Sequence, residues 1–425
     1  MSALAPPPDA VSSAASVPPV ASHDVLIVGG GLVGASLAIA LDRIGVDVGL
    51  LEAAPPGALP AVFDERNLSF AEATVHALSA LDVLPRLRAP TGAIARIHIS
   101  RRGDFGRIAL NAVDYGRAAF GRVVVARDFG DALEAKLQTL TALRRYRPAR
   151  FLGFDDAAES TRDGARIVRA QGADGVFALR AKLVVAADGT ASAVRDALGI
   201  ASDTHDYRQT LFVARLLCER APDGTAYERL TDHGPTALLP RGDGHYGAIH
   251  GVARDEADAV AALDDAAYVE RLQQAFGWRV GRMLSVGPRS AYPIARVLAR
   301  EIVAPRAAAI GNAAQTLHPI GAQGFNLGLR DALTLAECIA ESRDDPGADA
   351  SLARYTQRRR EDRERTVAFS DGLARATSNS EPLMRPLRSL GLFALDRDDA
   401  LRARLVAGAM GYRGDVPALC RAEVA

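Results

Sequence analysis

The sequence predicts an α/β protein: a Rossmann-type βαβ domain, interrupted by an antiparallel-sheet domain and finished by C-terminal helices. Three observations lead there. The apolar run Val25–Val28 meets Gly29-Gly30-Gly31-Leu32-Val33-Gly34 and then a helical apolar period. Between 207 and 293, short alternating segments are punctuated by Gly and Pro, as in an antiparallel sheet. Beyond 331 the pattern is helical.

The elements follow in order. Residues 25–28 read as a buried strand, 32–44 as a helix packed on it and 46–51 as a second strand. Segment 95–112 alternates like strands joined by Gly-containing turns. Segment 120–140 reads as a short strand and an amphipathic helix, with Leu133, Leu137 and Leu140 on one face. Stretches 165–170 and 176–189 are strand-like, the latter ending at Asp188-Gly189. Strands recur at TLFVARLLCE, TAYERL, TALLPRG and HYGAIHGVA, with a helix near 266–276. Ala307–Ile310 reads as a buried strand, and a glycine-rich loop then leads into a helix from about Phe325.

Composition narrows the class. A 48% hydrophobic and 24% charged chain is ordinary for a soluble globular protein. Zero formal net charge gives no electrostatic case for nucleic acid. Cys218, Cys338 and Cys420 are far apart and odd in number, which predicts reduced, buried thiols. No Cys or His spacing suggests a metal site. The Ala/Pro/Ser-rich start lacks a basic n-region and an apolar core, so it reads as a disordered tail rather than a signal peptide. No apolar run approaches the ~20 residues that span a bilayer. The expected location is the cytoplasm, with contact at the inner-membrane surface left open.

Gly29, Gly31 and Gly34 form GxGxxG between a strand and a helix. The first allows the tight turn, the second lets a pyrophosphate approach the backbone, and the third allows close helix–strand packing. Glu52 ends the second strand, where a carboxylate accepts ribose hydroxyls. The motif alone does not separate NAD from FAD.

Three further stretches do. They are Phe63-Asp64-Glu65-Arg66-Asn67-Leu68, Asp188-Gly189 with Arg195, and GNAAQTLHPIGAQGFNLGLRD at 311–331. In this order and spacing the chain resembles, over about 24–412, the class A flavoprotein monooxygenases of the p-hydroxybenzoate hydroxylase type. Within them it is similar to the ubiquinone-biosynthesis hydroxylases and their UbiH branch, the 2-polyprenyl-6-methoxyphenol hydroxylases. Two details depart from the class. Asn312 stands where an Asp is usual, as the UbiH branch commonly has it. Gly321-Ala322 reverses the branch's Ala-Gly order and moves a permissive backbone position by one residue.

The resemblance implies an FAD-binding domain of 23–85, 120–200 and 290–345, and a substrate domain of 86–119 and 201–289. A tail of 1–22 precedes them and a helical region of 346–425 follows. It implies ring hydroxylation through a C4a-hydroperoxyflavin, with FAD as cofactor and NAD(P)H or a ferredoxin-type protein as reductant. The partners implied are a polyprenylated phenol, molecular oxygen and other ubiquinone-biosynthesis proteins. Hydroxylation at another ring position and a non-catalytic flavin-binding subunit are the rival readings.

The cofactor-binding candidates are Gly29, Gly31, Gly34, Glu52, Arg66, Arg127, Asp188, Gly189, Asn312, Gly321, Gly324, Phe325 and Asn326. The catalytic candidates are Pro319, His318 and Gln323. Pro319 is expected to shape the flavin face where oxygen reacts. Asn326 either donates to the flavin or caps the helix. Arg66 either contacts the flavin or pairs with Glu65 or Asp64. Arg127 lies near the pyrophosphate or in solvent, and Asp188 contacts the pyrophosphate or is a turn carboxylate. His318 suggests acid/base chemistry by its ordinary titration range. Oxygen transfer from a flavin hydroperoxide does not require it, which favours a framework or substrate-contact role. In the tail, Leu383, Leu387, Leu390, Phe393 and Leu395 interleave with Arg385, Arg388 and Arg397. That segment packs on protein or lies on a membrane surface.

Overall fold

Residues 19–55, 66–104, 106–155, 164–377 and 384–421 are described by the computed structural model. Two large sheets carry the molecule. In the first, strand Pro19–Val28 sits in the middle, so Val25, Leu26 and Ile27 have no exposed surface. It pairs in parallel with Val48–Leu51 on one side and Gly175–Ala186 on the other. Leu143–Tyr146 and Ala307–Ala309 extend this parallel core, and its inner stretches Val25–Val28, Val48–Leu51, Leu183–Ala186 and Ala307–Ala309 are accordingly apolar on both faces, while the edge strand Leu143–Tyr146 is not. Helices Leu32–Asp42 and Gln323–Ala340 cover one face.

The first strand begins at Pro19, where the sequence reading placed tail as far as residue 22. Pro19 pairs with Ala178 and His23 with Ala181. His23 is held by Asp47 and Tyr146, each at 2.8 Å, which anchors a segment that composition alone reads as tail. Residues 1–18 lie outside the described residues.

Among the described residues the second sheet has nine strands. At its centre, Ser202–Cys218 pairs antiparallel with Ser290–Ala299 and Tyr246–Ala253. Gly234–Pro240 and Thr225–Thr231 continue it, and Arg96–Arg101 joins in parallel. Strand Ser290–Ala299 thus pairs within this sheet, although the sequence reading grouped 290–345 with the dinucleotide-binding segments. Gln315–Thr316, from the glycine-rich loop, adds to the same edge. The loop therefore joins the two sheets.

Alternation divides the second sheet into two faces. Phe212, Ala214 and Leu216 pack under helix Asp265–Phe276, while Leu211 and Val213 look toward the first sheet. All three cysteines are free and buried. In the C-terminal region, Leu392 and Leu395 pack against the second sheet's other cluster. Leu390 and Phe393 are exposed, with the Arg397 guanidinium 4.9 Å over the Phe393 ring. Leu383 and the side chains of Arg385, Leu387 and Arg388 lie outside the described residues.

Candidate functional site

The glycine turn has the geometry its spacing predicts. Gly29 sits at φ +107°, and a Cβ there would lie 2.4 Å from the Ala187 carbonyl oxygen. A Cβ on Gly34 would lie 2.0 Å from the Gly29 oxygen. Gly31 differs: it precedes helix Leu32–Asp42, and a Cβ on it would meet nothing within 4 Å. Two glycines are required by the protein's own packing. The third leaves room at a helix N-terminus, where an anionic pyrophosphate fits. Glu52 accepts from the Gly30 and Ala54 amides, both at 2.7 Å, so its carboxylate is oriented at the end of its strand.

A cavity of about 380 Å³ opens between the sheets. Gly31, Gly189, Asn312, Pro319, Ala322, Gly324 and Phe325 form one wall. Leu211, Val213, Leu239, Ile249 and Ile294 form the other. Arg66 and Tyr292 also line it, with the Arg66 guanidinium 4.6 Å over the Tyr292 ring. Asp64 and Glu65, the other partners considered for Arg66, lie outside the described residues. The residues present fit a flavin dinucleotide: an open phosphate cradle, an oriented carboxylate at the end of the second strand and an apolar-walled space between loop and sheet. Among the described residues no His/Cys/Asp/Glu group could hold a metal ion.

The glycine-rich loop explains its own residues. Asn312 and Pro319 are exposed to the cavity. His318 is not: it is 1% exposed and absent from the lining. The Ile320 amide donates to its Nδ1 at 3.1 Å, so Nε2 carries the proton and donates to Gln209 Oε1 at 3.0 Å. Burial lowers its pKa to about 4, against a smaller opposite pull from Asp371. A neutral imidazole with both nitrogens engaged inside the protein has the geometry of a framework group, the reading the sequence favoured over catalysis. Gln323 is likewise turned away from the cavity. Its amide donates to the Gly321 oxygen at 3.1 Å and the Ala409 oxygen at 3.3 Å, tying the loop to the C-terminal helices.

Asn326 neither reaches the cavity nor caps the helix by accepting from its N–H groups. Its Oδ1 accepts from the Ala71 amide at 2.9 Å and Thr74 Oγ1 at 2.7 Å. Its Nδ2 donates to the Ser69 and Ala322 oxygens at 2.9 and 2.7 Å. All four of its hydrogen bonds stay inside the protein. They clamp the first turn of helix Gln323–Ala340 to strand Asn67–Ala71. Phe325 lines the cavity and packs on Phe70 and Phe129, with ring centroids 5.4 and 5.3 Å away.

Asp188 faces inward. Its carboxylate accepts from Ser192 Oγ at 2.5 Å and the Val194 amide at 3.1 Å, and burial raises its pKa against those bonds. This is the turn carboxylate alternative; its neighbour Gly189 is the one that lines the cavity. Arg127 is exposed in the first turn of helix Ala126–Leu137, outside the cavity lining. Sequence reasoning missed the apolar wall and Tyr292. The odd-numbered alternation along Ser202–Cys218 is the signal that could have found Leu211 and Val213.

Comparison with known proteins agrees with this geometry. The family model described as "FAD binding domain" matches residues 22–370. The ubiquinone hydroxylase UbiL of Rhodospirillum rubrum is 34% identical, the alignment covering 91% of this chain and 89% of that protein. The 3-demethoxyubiquinol 3-hydroxylase of Escherichia coli is 28% identical over 91% of this chain and 98% of that one. Among solved structures, p-nitrophenol 4-monooxygenase PnpA from Pseudomonas putida superposes with a TM-score of 0.75 at 19% identity, covering 93% and 99% of the two chains. The anhydrotetracycline hydroxylase OxyS from Streptomyces rimosus gives 0.69 at 21%, covering 92% and 76%. These two show the fold.

Proposed function

The chain belongs to the FAD-binding-domain family, with ubiquinone hydroxylases among its relatives, and from that premise we propose that it hydroxylates the aromatic ring of a ubiquinone precursor. It is an FAD-dependent aromatic hydroxylase by family and fold. The ring we assign to it is that of a 2-polyprenyl-6-methoxyphenol, on the motif 311–331. The carrying observation is a cavity between the sheets, phosphate cradle at one end and apolar wall opposite.

FAD, once reduced by NAD(P)H or a ferredoxin-type donor, would supply activated oxygen to an electron-rich ring. The chain's residues have simpler tasks. Gly31 would admit the pyrophosphate, Glu52 would take the ribose, and Asn312 and Pro319 would face the flavin side of the cavity. The apolar wall would limit water around the bound ring, which such chemistry requires because an activated oxygen exposed to solvent is lost as hydrogen peroxide. No acid/base pair is needed in the wall.

Purified protein reconstituted with FAD should be yellow and should bleach anaerobically with its true reductant. With a polyprenyl methoxyphenol and oxygen it should then form one hydroxylated product. Gly31→Trp places a side chain in the open cradle; it should fold with an unchanged circular dichroism spectrum and retain no flavin. A pathway knockout rescued equally by Gly31→Trp would overturn catalysis and leave a structural subunit.

A further inference from the structure

The chain's one tryptophan, Trp278, follows helix Asp265–Phe276 and is 67% exposed. The Gly281 amide donates to its carbonyl oxygen at 3.1 Å, closing a turn, and Leu284 beyond that turn is 50% exposed. Strand register sets arginines beside this turn. Arg229 is paired with Ser100, and Ser100 with Arg107 in strand Arg107–Asn111. Residues directly opposite one another share a face, so the two arginines lie on one side of the second sheet, ~10 Å apart across two strand spacings. Tyr227 lies on the same face, its ring 6.0 Å from His98 and 5.7 Å from Phe276, so the end of the helix sits over it. Arg279 follows Trp278 directly. The Arg102 amide donates to the Leu230 oxygen at 3.0 Å, and Arg220 Nη1 donates to the Arg279 oxygen at 3.3 Å.

The fold supplies no matching negative charge. Arg229 finds only Ser100 Oγ at 3.4 Å, and its Nε is buried without a hydrogen-bond partner. Arg102, Arg107, Arg279 and Arg282 are exposed, and no described carboxylate pairs with them. The acidic residues on these elements are engaged elsewhere. Glu219 accepts from the Arg282 amide at 3.0 Å, Asp223 pairs with Arg96 at 2.6 Å, and Gln274 donates to Glu270 at 3.2 Å. Asp104 and Asp232 hold Arg101, and Glu228 alternates to the opposite face. The arginines are close enough to act on one another: burial lowers the pKa of Arg229, and Arg279 and Arg102 lower it further. A lone exposed apolar side chain is ordinary. A tryptophan and a leucine framed by arginines without carboxylate partners have the chemistry of a lipid interface, where Trp sits at headgroup level and cations meet phosphate. No described helix is long and apolar enough to cross a membrane, so the contact is made at the surface.

We propose that this face docks on an anionic lipid surface, with Trp278 and Leu284 entering the headgroup boundary and Arg102, Arg107, Arg279 and Arg282 meeting lipid phosphates. Charge complementarity selects the occupant, because the cluster lacks acidic partners of its own. The apolar pair then adds buried area that a free phosphate ion would not use. A prenylated phenol partitions into such a surface, but the docking stands whichever ring the enzyme hydroxylates.

The test uses FAD-reconstituted full-length protein with two kinds of vesicle, phosphatidylcholine alone and phosphatidylcholine mixed with phosphatidylglycerol. Binding is read by vesicle flotation and by tryptophan emission, which reports Trp278 alone. Wild type should float with the anionic vesicles, more weakly as salt rises, and its emission should move to the blue. Arg107→Ser/Arg279→Ser should bind them about twenty-five-fold more weakly, about fivefold for each arginine removed. Trp278→Ser should bind about tenfold more weakly, with an unchanged salt dependence. Both variants should keep the wild-type melting temperature and flavin content, since these side chains are exposed and lie outside the cofactor cavity. Wild type that fails to float, or that floats equally with neutral vesicles, would overturn the docking. So would wild-type binding by Arg107→Ser/Arg279→Ser. A protein that floats while its Trp278 emission stays unmoved would overturn this face as the contact. Displacement of the vesicles by inorganic phosphate at constant ionic strength would assign the arginines to a small anion and overturn the lipid surface.

Discussion

His318 shows how one residue type supports two readings that burial separates. Its ordinary pKa suits proton transfer at neutral pH, but desolvation holds the folded-state value near 4. The unfolded chain therefore binds the proton more tightly than the folded one. The stability this gives is present above the unfolded value of about 6.5 and is lost as pH falls toward 4. At pH 5 the loss is about 2 kcal/mol from this residue. His250, also lowered to about 4 by burial and by Arg271, acts in the same direction. His318→Gln should therefore lose less melting temperature between pH 7.5 and pH 5 than wild type. It should keep the wild-type pH profile of hydroxylation above pH 6. A shift in that profile would return His318 to the chemistry.

The loop before helix Gln323–Ala340 is the element whose residue order was hardest to read. Gly321 has φ 74° and Ala322 has φ 52°, so two consecutive residues are left-handed. Glycine serves the first, and alanine bears steric cost at the second of about 1 kcal/mol. Ala322→Gly should be neutral or stabilising by up to about 1 kcal/mol, because relief of strain opposes added chain entropy. Gly321→Ala should cost about 1–2 kcal/mol. The exchanged pair Gly321→Ala/Ala322→Gly should melt below wild type and bind FAD more weakly; thermal melts and flavin titration would check both. Much of this element was legible in sequence: the strand at 307, the helix start and the glycine cradle each follow from local rules. What was not legible depends on distant partners. Asn326 reads as a cap or a ligand because Ser69, Ala71 and Thr74 are some 250 positions away in the chain. Gln323 reads as a cavity residue for the same reason, until Ala409 is placed beside it. The apolar wall escaped because it is assembled from one or two residues of each of four strands far apart in the chain.

On the scale of the molecule, the two sheets and the C-terminal helices are held by one buried charge network. Asp331 Oδ2 accepts from Gln315 at 2.5 Å and from the Gly311 amide at 3.3 Å, fixing the loop that carries Asn312. Its Oδ1 takes Arg359 Nε at 2.8 Å from the long helix Asp349–Thr377. Arg359 also pairs with Asp362 at 2.8 Å, and Asp362 with Arg330 at 2.6 Å. Burial alone would raise the Asp362 pKa, but Arg330 and Arg359 outweigh it and lower it. Gln315 Oε1 receives Arg363, which also donates to the Ala299 oxygen at 2.6 Å. The chain of contacts thus runs from the helical region through the cofactor loop into the second sheet. Desolvation makes the pairs poor sources of net stability but costly to halve. Asp331→Ala should lose about 3–5 kcal/mol, because Arg359 keeps its charge without that partner. Arg359→Met should cost less than this in the Asp331→Ala background than alone, since Asp331 is then already gone. Denaturant melts of the two single variants and the double would measure that coupling. FAD titration of Asp331→Ala should show weaker binding, because the loop bearing Asn312 loses its anchor. Strict additivity of the two substitutions, with flavin affinity unchanged, would mean that loop and helices are held independently.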